Sequence, residues 1–211
     1  MATAPINHPS TPAANVTPIL VPVEVARTLS GAIWCASFPG SSSLNDLEEP
    51  FKGSFEAFLS ALKKAGATTR INQTFRPVER AYMMHYCYVI KHKKQSPKGI
   101  DRQPGVHIEW DHGDDEKSIK AASEMSTGFG IDNLKTEPAL NSQHTIGFAV
   151  DMQITWEGDL SIEQKDGTTT VIASSPKDIM NTDLHKVGKT YGVIKYNKSG
   201  YDRPHWSSNG S

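Results

Sequence analysis

The sequence predicts an α+β protein, with a small antiparallel sheet and helices packed against it. Two amphipathic helical segments precede a segment of alternating apolar and polar residues, and Asp166-Gly167 then lies between β-rich flanks. Alternation with a period of two is typical of a strand with one buried face, and Asp-Gly favours the tight turn of a hairpin. Helices and short strands in this mixed order favour an α+β arrangement over a parallel, doubly wound sheet.

The clearest helix lies in FKGSFEAFLSALKKAG, residues 51–66. Its Phe and Leu residues recur at helical spacing, and Gly66 is a natural stop. The segment ATTRINQTF then predicts a strand. It leads into RPVERAYMMHYCYVIKHKK, where Pro77 suits the first turn of a helix. This second helix is apolar on most sides as far as Ile90, so we expect it to be largely buried.

The alternating segment GFAVDMQI predicts a strand. Phe148, Val150, Met152 and Ile154 fall on one face and Asp151 on the other. The hairpin at Asp166-Gly167 follows.

The last helix is predicted in SPKDIMNTDLHKVGKTYG. Ser175 would be its N-cap and Pro176 its first residue. The residues expected to face the core are Ile179, Met180, Leu184 and Val187.

The domain organisation follows from composition. Residues 1–23 contain five prolines among Ala, Thr and Ser, which predicts an extended tail or linker. Residues 24–211 form one domain, within which 95–137 has weak periodicity and is interpreted as an insertion or lid-like loop with one short helix. Residues 63–102 carry ten Lys/Arg against two Asp/Glu, and 109–137 carry three against eight. This asymmetry indicates either opposed solvated faces or a basic wall and an acidic lip beside a charged substrate.

Composition also excludes several classes of protein. The net charge of −1 argues against a general nucleic-acid binder. No apolar stretch is long enough for a membrane span, and the N-terminus lacks the pattern of a secretory signal, so we expect synthesis in the cytoplasm without a signal peptide. The two cysteines, Cys35 and Cys87, are too few for a disulfide framework and are interpreted as buried apolar residues.

Two short motifs carry the candidate chemistry. NSQHTIGFAVD, residues 141–151, places His144 in a polar loop just before the strand that contains Asp151. YDRPHW, near the end of the chain, contributes Asp202 and His205. Two His and one Asp, with water in the fourth position, make an open tetrahedral zinc site of the catalytic kind. The remaining carboxylate would supply a general base.

These motifs resemble a known family. SQHTIGFAVD matches Ser-x-His-x-x-Gly-x-Ala-x-Asp, and DRPH matches an Asp/Glu-x-x-His element. Together they resemble the zinc D-Ala-D-Ala carboxypeptidases, a group with VanY-type carboxypeptidases, D-Ala-D-Ala dipeptidases and the L-alanyl-D-glutamate endopeptidases of phage lysins. The resemblance spans about Gln73 to Trp206 and implies the D-Ala-D-Ala carboxypeptidase (Hedgehog-like) fold. The His-Glu-x-x-His helix of the common zincins is absent.

The resemblance implies a role for each site residue. His144, Asp151 and His205 would bind Zn²⁺, and Asp202 would be the catalytic acid/base. Arg76, in the segment TFRP, would polarise the scissile carbonyl or bind a substrate carboxylate, and Ser142 would contact substrate near the metal. The 95–137 segment has no counterpart in the resemblance.

The function implied is hydrolysis of stem or cross-link peptides of peptidoglycan. The bond stays open: D-Ala-D-Ala, D-Ala-diaminopimelate or L-Ala-D-Glu. A chain without a signal peptide that acts in the periplasm or cell wall would be delivered by another route. It would be a phage lysin released through holin pores, or an antibacterial effector that uses a secretion apparatus and requires an immunity protein.

Two other functions remain open on the residues. Cys35 could be a nucleophile with His144 as its base, as in cysteine amidases of the cell wall. Alternatively, the domain could retain zinc and bind the cell wall without catalysis. A second set of metal-binding residue types lies in GVHIEWDHG, with His107, Glu109, Asp111 and His112, whereas the histidines in helical segments are expected to be ordinary core or surface residues: His85, His92 and His185.

Overall fold

A computed structural model describes Met1, residues 25–196 and residues 202–211. The described residues form a mixed α+β structure with four α-helices. The helices are α1 (Phe51–Lys64), α2 (Val78–Lys91), α3 (Asp115–Gly128) and α4 (Thr182–Thr190). The strands are β1 (Thr28–Leu29), β2 (Thr68–Gln73), β3 (Ile108–Glu109), β4 (Ala149–Thr155), β5 (Leu160–Glu163), β6 (Thr169–Ile172), β7 (Ile194–Lys195) and β8 (His205–Ser207).

The main sheet is antiparallel and has the order β2-β4-β8-β7. The alternation predicted for β4 is confirmed, because Val150, Met152 and Ile154 are buried. Asp151 is directly opposite His205 on β8, and a register shift in β2 brings Gln73 opposite Asp151 on the other side. Local irregularities of this kind often adjoin functional sites, where they redirect a side chain.

Helix α1 packs against this sheet, as its apolar spacing predicts. Its aromatic residues are fully buried, and the Phe58 ring lies 5.5 Å from Trp206 and 5.7 Å from Tyr191. The helix ends at Lys64, and Gly66 follows with a φ of 86°, a conformation that favours glycine. The resulting core also includes α4 and the β5–β6 hairpin, whose turn contains Asp166-Gly167 as predicted.

A second core forms around α2, which starts directly after Pro77 and is buried on most sides, as expected. Helix α3 packs on α2, and β1 pairs with β3 in parallel. Residues 95–137 are thus more ordered than a lid-like loop with one short helix, since α3 alone spans 14 residues and supplies part of this core.

The charge asymmetry is partly resolved by pairing between the two segments. Lys91 lies 2.5 Å from Asp132, and Lys94 lies 2.7 Å from Glu137. These ion pairs join the end of α2 to the residues that follow α3. Part of the basic and acidic excess therefore forms ion pairs that hold the elements of the second core together.

The predicted start of the last helix was wrong. Helix α4 begins after Asn181, whose side chain accepts hydrogen bonds from the backbone N–H groups of Asp183 and Leu184. Because Asn181 caps two backbone N–H groups, it stabilises this start more than the Ser175-Pro176 pattern stabilises an earlier one.

The tail predicted at residues 1–23 lies, apart from Met1, outside the described residues. In residues 25–196 and 202–211, no helix has the length and hydrophobicity that a bilayer crossing requires.

Substitution by alanine at two helical glycines is expected to change the free energy of unfolding in opposite directions. A Cβ at Gly188 in α4 would lie 2.7 Å from the Trp206 ring and 2.8 Å from the Val193 carbonyl oxygen, whereas a Cβ at Gly53 in α1 would meet only the flexible Glu49 carboxylate at 3.3 Å. We expect Gly188→Ala to lower the free energy of unfolding by about 1–3 kcal/mol through overpacking. Gly53→Ala should raise it by roughly 0.5–1 kcal/mol through helix propensity. Denaturant melts of both variants check this, and an unchanged midpoint for Gly188→Ala would contradict the packing.

Candidate metal centre

Three elements bring the candidate ligands together. His144 lies in a short 3-10 turn, Gln143–Ile146, whereas Asp151 and His205 face each other across β4 and β8. Gly147 joins the turn to β4 with a φ of 75°, and a Cβ there would lie 3.0 Å from the Asp46 carbonyl oxygen. Only glycine allows this sharp turn with such close backbone packing.

The three ligand atoms form an equilateral triangle. His144 Nε2, Asp151 Oδ1 and His205 Nδ1 are each 3.1 Å from the other two. Bond lengths of 2.0–2.1 Å in a tetrahedral zinc site put neighbouring ligand atoms about 3.3 Å apart. The two imidazoles are only 2% and 5% exposed. Among the described residues, this is the one group of His, Cys, Asp or Glu side chains close enough to hold a metal ion.

The hydrogen bonds of the two ring nitrogens that face away from the triangle show which nitrogens are free to bind a metal. His144 Nδ1 is 3.3 Å from the Thr74 carbonyl oxygen, and His205 Nε2 is 3.0 Å from the Ser211 carbonyl oxygen. A carbonyl only accepts hydrogen bonds, so these nitrogens carry the hydrogens of the neutral rings. The lone pairs of the other two nitrogens therefore point at each other and at Asp151. Lone pairs that converge in this way require a shared proton or cation, and this second layer of contacts is typical of metal-binding histidines.

The electrostatic environment of the three ligand atoms favours a bound cation. Burial alone would raise the pKa of the Asp151 carboxyl, but the two histidine rings outweigh it and hold the pKa below its usual range. Burial would lower the pKa of His205, but its hydrogen bond to Asp151 raises the pKa above the ordinary value. A proton at His205 and a metal ion thus compete for the same place.

Asp202 lies beside the triangle without belonging to it. Its Oδ2 is 3.9 Å from His205 Nδ1, and its side chain is 52% exposed. Burial of the carboxyl and the negative charge of Asp151 raise the pKa of Asp202, although His205 opposes the shift. An exposed carboxyl with a raised pKa beside candidate metal ligands is suited to proton exchange.

Arg76 and Ser142 each have a buried polar atom without a hydrogen-bond partner among the described residues, and both adjoin the His144 turn through the backbone. Arg76 N donates to the His144 carbonyl oxygen at 3.1 Å, and its Nη2 donates to Gln73 Oε1 at 2.7 Å. Burial lowers the pKa of Arg76, whereas the carboxylates of the centre oppose this shift. Arg76 Nε and Ser142 Oγ are buried without a hydrogen-bond partner in the described part of the chain. Buried donors of this kind are costly unless a ligand completes them.

Lys195, which was not predicted as a site residue, is only 4% exposed. Its Nζ donates to three backbone carbonyl oxygens, those of Tyr196 at 2.8 Å, Asp202 at 3.2 Å and His205 at 3.1 Å. Burial lowers the pKa of Lys195 to about 8, so the ammonium is still mostly charged at neutral pH. Lys195 thus fixes the backbone of both a candidate ligand and the candidate base. The only sequence signal was its place in the apolar strand pattern VIKY.

The segment GVHIEWDHG does not form a metal site. Glu109 forms an ion pair with Arg27 at 2.6 Å, and His112 Nε2 is 2.9 Å from Ser30 Oγ. The histidines in helical segments have ordinary contacts, as expected. His85 bonds to the Pro138 carbonyl, His185 bonds to the Ile179 carbonyl, and His92 stacks on Tyr88.

The structure does not bring Cys35 and His144 into contact. Cys35 Sγ donates to the Met125 carbonyl oxygen at 3.6 Å, and burial raises the pKa of the thiol. Both ring nitrogens of His144 are engaged at the triangle and at Thr74. Cys87 is buried, and neither cysteine forms a disulfide.

Comparison with protein-family models and with curated proteins found no match for this chain. The chemical interpretation therefore rests on the geometry of the side chains.

The triangle predicts binding of about one divalent transition-metal ion per chain. We expect His144→Ala to abolish binding, because it removes one of three ligands. The matched control is His112→Ala, which removes a histidine from GVHIEWDHG and should leave metal content unchanged. Elemental analysis after removal of excess ion measures both. Equal metal content in the two variants would show that the ion binds elsewhere.

Lys195→Met should weaken the centre without touching a ligand side chain. It leaves three carbonyls without their shared donor, and we expect metal affinity to fall about 10- to 100-fold, as for other outer contacts of metal ligands. Lys189→Met, on the exposed end of α4, is the control. Competition with a chromophoric chelator gives both affinities. Wild-type affinity in Lys195→Met would mean that the lysine does not support the centre.

Proposed function

We propose that the protein is a zinc-dependent peptidase that hydrolyses stem or cross-link peptides of peptidoglycan. The observation that carries this proposal is the triangle of lone-pair atoms from His144, Asp151 and His205, with Asp202 beside it. A set of three protein ligands, which leaves the fourth position to water, is typical of catalytic rather than structural zinc sites. An adjacent carboxylate outside the ligand set has a use in proton transfer and none in a purely structural site.

Zinc is the metal that this donor set suits best. Two imidazoles and one carboxylate match its preferred nitrogen and oxygen ligands, whereas Mg²⁺ and Ca²⁺ favour sites made of oxygen alone. When bound, zinc would supply Lewis acidity and lower the pKa of a coordinated water from 15.7 toward about 7.

Proton transfer, stabilisation of the developing charge and substrate positioning would be carried out by side chains of the protein. Asp202 would accept a proton from the attacking water at its carboxylate and pass it to the nitrogen of the leaving amine. The Arg76 guanidinium, with its unpartnered Nε, would hold the carbonyl oxygen of the scissile bond as negative charge develops there. Ser142 Oγ, also unpartnered, would donate to the substrate backbone next to the bond that is cut.

The substrate class is supported by the resemblance of SQHTIGFAVD and DRPH to the zinc D-Ala-D-Ala carboxypeptidase group. We therefore also propose the D-Ala-D-Ala carboxypeptidase (Hedgehog-like) fold for the antiparallel sheet and its helices. The bond cut would be D-Ala-D-Ala, D-Ala-diaminopimelate or L-Ala-D-Glu. As a phage lysin or as a secreted effector with its immunity protein, the enzyme would act in the periplasm or cell wall.

The two rival functions make different demands on the structure. A cysteine amidase needs a thiolate near a histidine, and Cys35 has a raised thiol pKa and no contact with His144. A zinc-containing domain that only binds the cell wall needs the three ligands, but gives Asp202 and Arg76 no task.

We predict that Asp202→Asn keeps its zinc and loses roughly 10²- to 10⁴-fold in turnover, because the amide cannot accept the proton. Purified sacculi would be digested, the muropeptides weighed by mass spectrometry, and zinc measured on the same samples. The product masses also name the bond that is cut. Asp159→Asn, which changes an exposed carboxylate between β4 and β5, is the matched control.

The rivals predict other outcomes of the same assay. Loss of cleavage in Cys35→Ser with the fold and zinc intact would favour the cysteine amidase. Zinc binding with no muropeptide release by the wild-type protein would favour the binding domain. Wild-type turnover in Asp202→Asn would remove Asp202 from the mechanism.

A further inference from the structure

One face of the main sheet is open to solvent beside the metal centre. Asp151, Gln153 and Thr155 alternate along β4 with buried core residues, so their side chains share the face that points away from the first core. Gln153 and Thr155 are exposed, and so are the residues opposite them on β2, Arg70 and Thr68. In the described part of the chain, this open face is a polar strip that starts at a candidate metal ligand.

The strand register places the open face within reach of the centre. Arg70 is the direct partner of Gln153, and Asp151 lies two residues before Gln153 on the same strand. Diagonal neighbours of this kind in an antiparallel pair lie about 7–8 Å apart. An extended peptide advances about 3.3 Å per residue, so two residues of substrate cover that distance. A peptide held at the centre and lying along β4 would bring the second residue from the scissile bond to Arg70.

The side chain of Arg70 is oriented by a hydrogen bond that leaves most of its donors available. Its Nε donates to Asn72 Oδ1 at 3.0 Å. Among the described residues, neither Nη atom has a hydrogen-bond partner and the guanidinium has no ion pair. The two Nη nitrogens form a fork whose geometry suits the two oxygens of a carboxylate.

The carboxylates near the middle of the open face are engaged elsewhere and do not pair with Arg70. Asp151 and Asp202 belong to the metal centre. Asp178, beside the end of β4, lies 3.7 Å from the guanidinium of Arg203. A ligand with a negative charge two residues from the scissile bond therefore complements the positive charge of Arg70.

The far end of the open face has room for more of the peptide. It opens into a cavity of about 500 Å³, lined by Gly66, Thr68, Thr155, Trp156 and Glu157. Thr155 follows Asp151 by four residues, which is about 13 Å along a strand. Because Glu157 adds a negative charge at this end, the preference for a carboxylate is confined to the position of Arg70.

We propose that the open face binds the substrate peptide in an extended form and that Arg70 selects a carboxylate on the second residue from the scissile bond. The inference rests on the proposed function and deepens it, because it names the part of the peptide that is recognised. Arg70 acts on specificity and not on the chemical step, since it lies outside the centre.

The order of residues in a stem peptide turns this into a choice of substrate. In the order L-Ala, D-Glu, third residue, D-Ala, D-Ala, the third residue is second from the scissile bond for each of the three candidate bonds. That residue is diaminopimelate, whose side chain carries a carboxylate, or lysine, whose side chain does not. Arg70 thus makes the protein selective for stems that contain diaminopimelate with a free carboxylate.

The test uses stem pentapeptides, and their cross-linked dimers, in which the side-chain carboxyl of diaminopimelate is either free or amidated. The wild-type protein should favour the free acid roughly three- to tenfold in kcat/KM, mostly through KM, because an exposed ion pair contributes modestly to binding. Arg70→Gln should bring this ratio close to one and retain kcat on both peptides. Arg70→Lys should keep part of the preference, since it keeps the charge and loses the fork.

The matched control is Lys120→Gln, which removes one positive charge from an exposed position on α3 and should leave the ratio unchanged. Thermal melts establish that each variant is folded, which is expected because both side chains are exposed. Equal losses on the acid and amide peptides in folded Arg70→Gln would overturn the inference, because they indicate general damage and not recognition of a carboxylate.

Equilibrium binding of the same pentapeptides, measured by calorimetry, separates this inference from the proposed function. Selective binding of the acid peptide that Arg70→Gln abolishes supports the open face, even if no cleavage occurs and the peptidase proposal fails. Cleavage with the same acid-to-amide ratio in Arg70→Gln as in the wild type overturns the role of Arg70 and leaves the peptidase intact. Neither binding nor cleavage of any of these peptides would overturn both proposals.

Discussion

The pairing of β4 with β8 is the constraint on which the candidate centre depends. Antiparallel register places Asp151 opposite His205, and side chains opposite each other on one face lie about 5 Å apart at their Cβ atoms. One residue of slip would turn Asp151 toward the core and leave a buried, unpaired carboxylate. The apolar alternation of β4 and the burial of Trp206 therefore hold the ligand geometry as well as the sheet.

Much of this site was predictable because its information is local in the chain. His144 and Asp151 are joined by a turn and a strand start, and the second motif, with Asp202 and His205, made a shared metal site the favoured interpretation. That Asp151 and His205 are register partners was not predictable, since nothing local specifies which strands pair. The role of Lys195 was not predictable for the same reason. A lysine in a strand usually faces water, and its burial is decided by carbonyls that only the folded chain assembles.

The errors in the predicted elements have equally specific causes. Helix α3 gave a weak pattern because the residues it buries are mostly small, among them Ser118, Ala121 and Ala122. Small residues let α3 approach α2 closely but contribute little to a hydrophobic period. At α4, two cap patterns competed, and Asn181 prevailed because its side chain satisfies two backbone donors.

The described residues form two separate hydrophobic cores, and the candidate centre adjoins only the first. Asp151 and His205 lie on strands of the first core, whereas the second core is built around α2 and α3. Substitutions within the second core therefore need not disturb the geometry of the centre. If the two cores are also independent in stability, amide hydrogen exchange will show α2 and α3 opening while the main sheet stays closed.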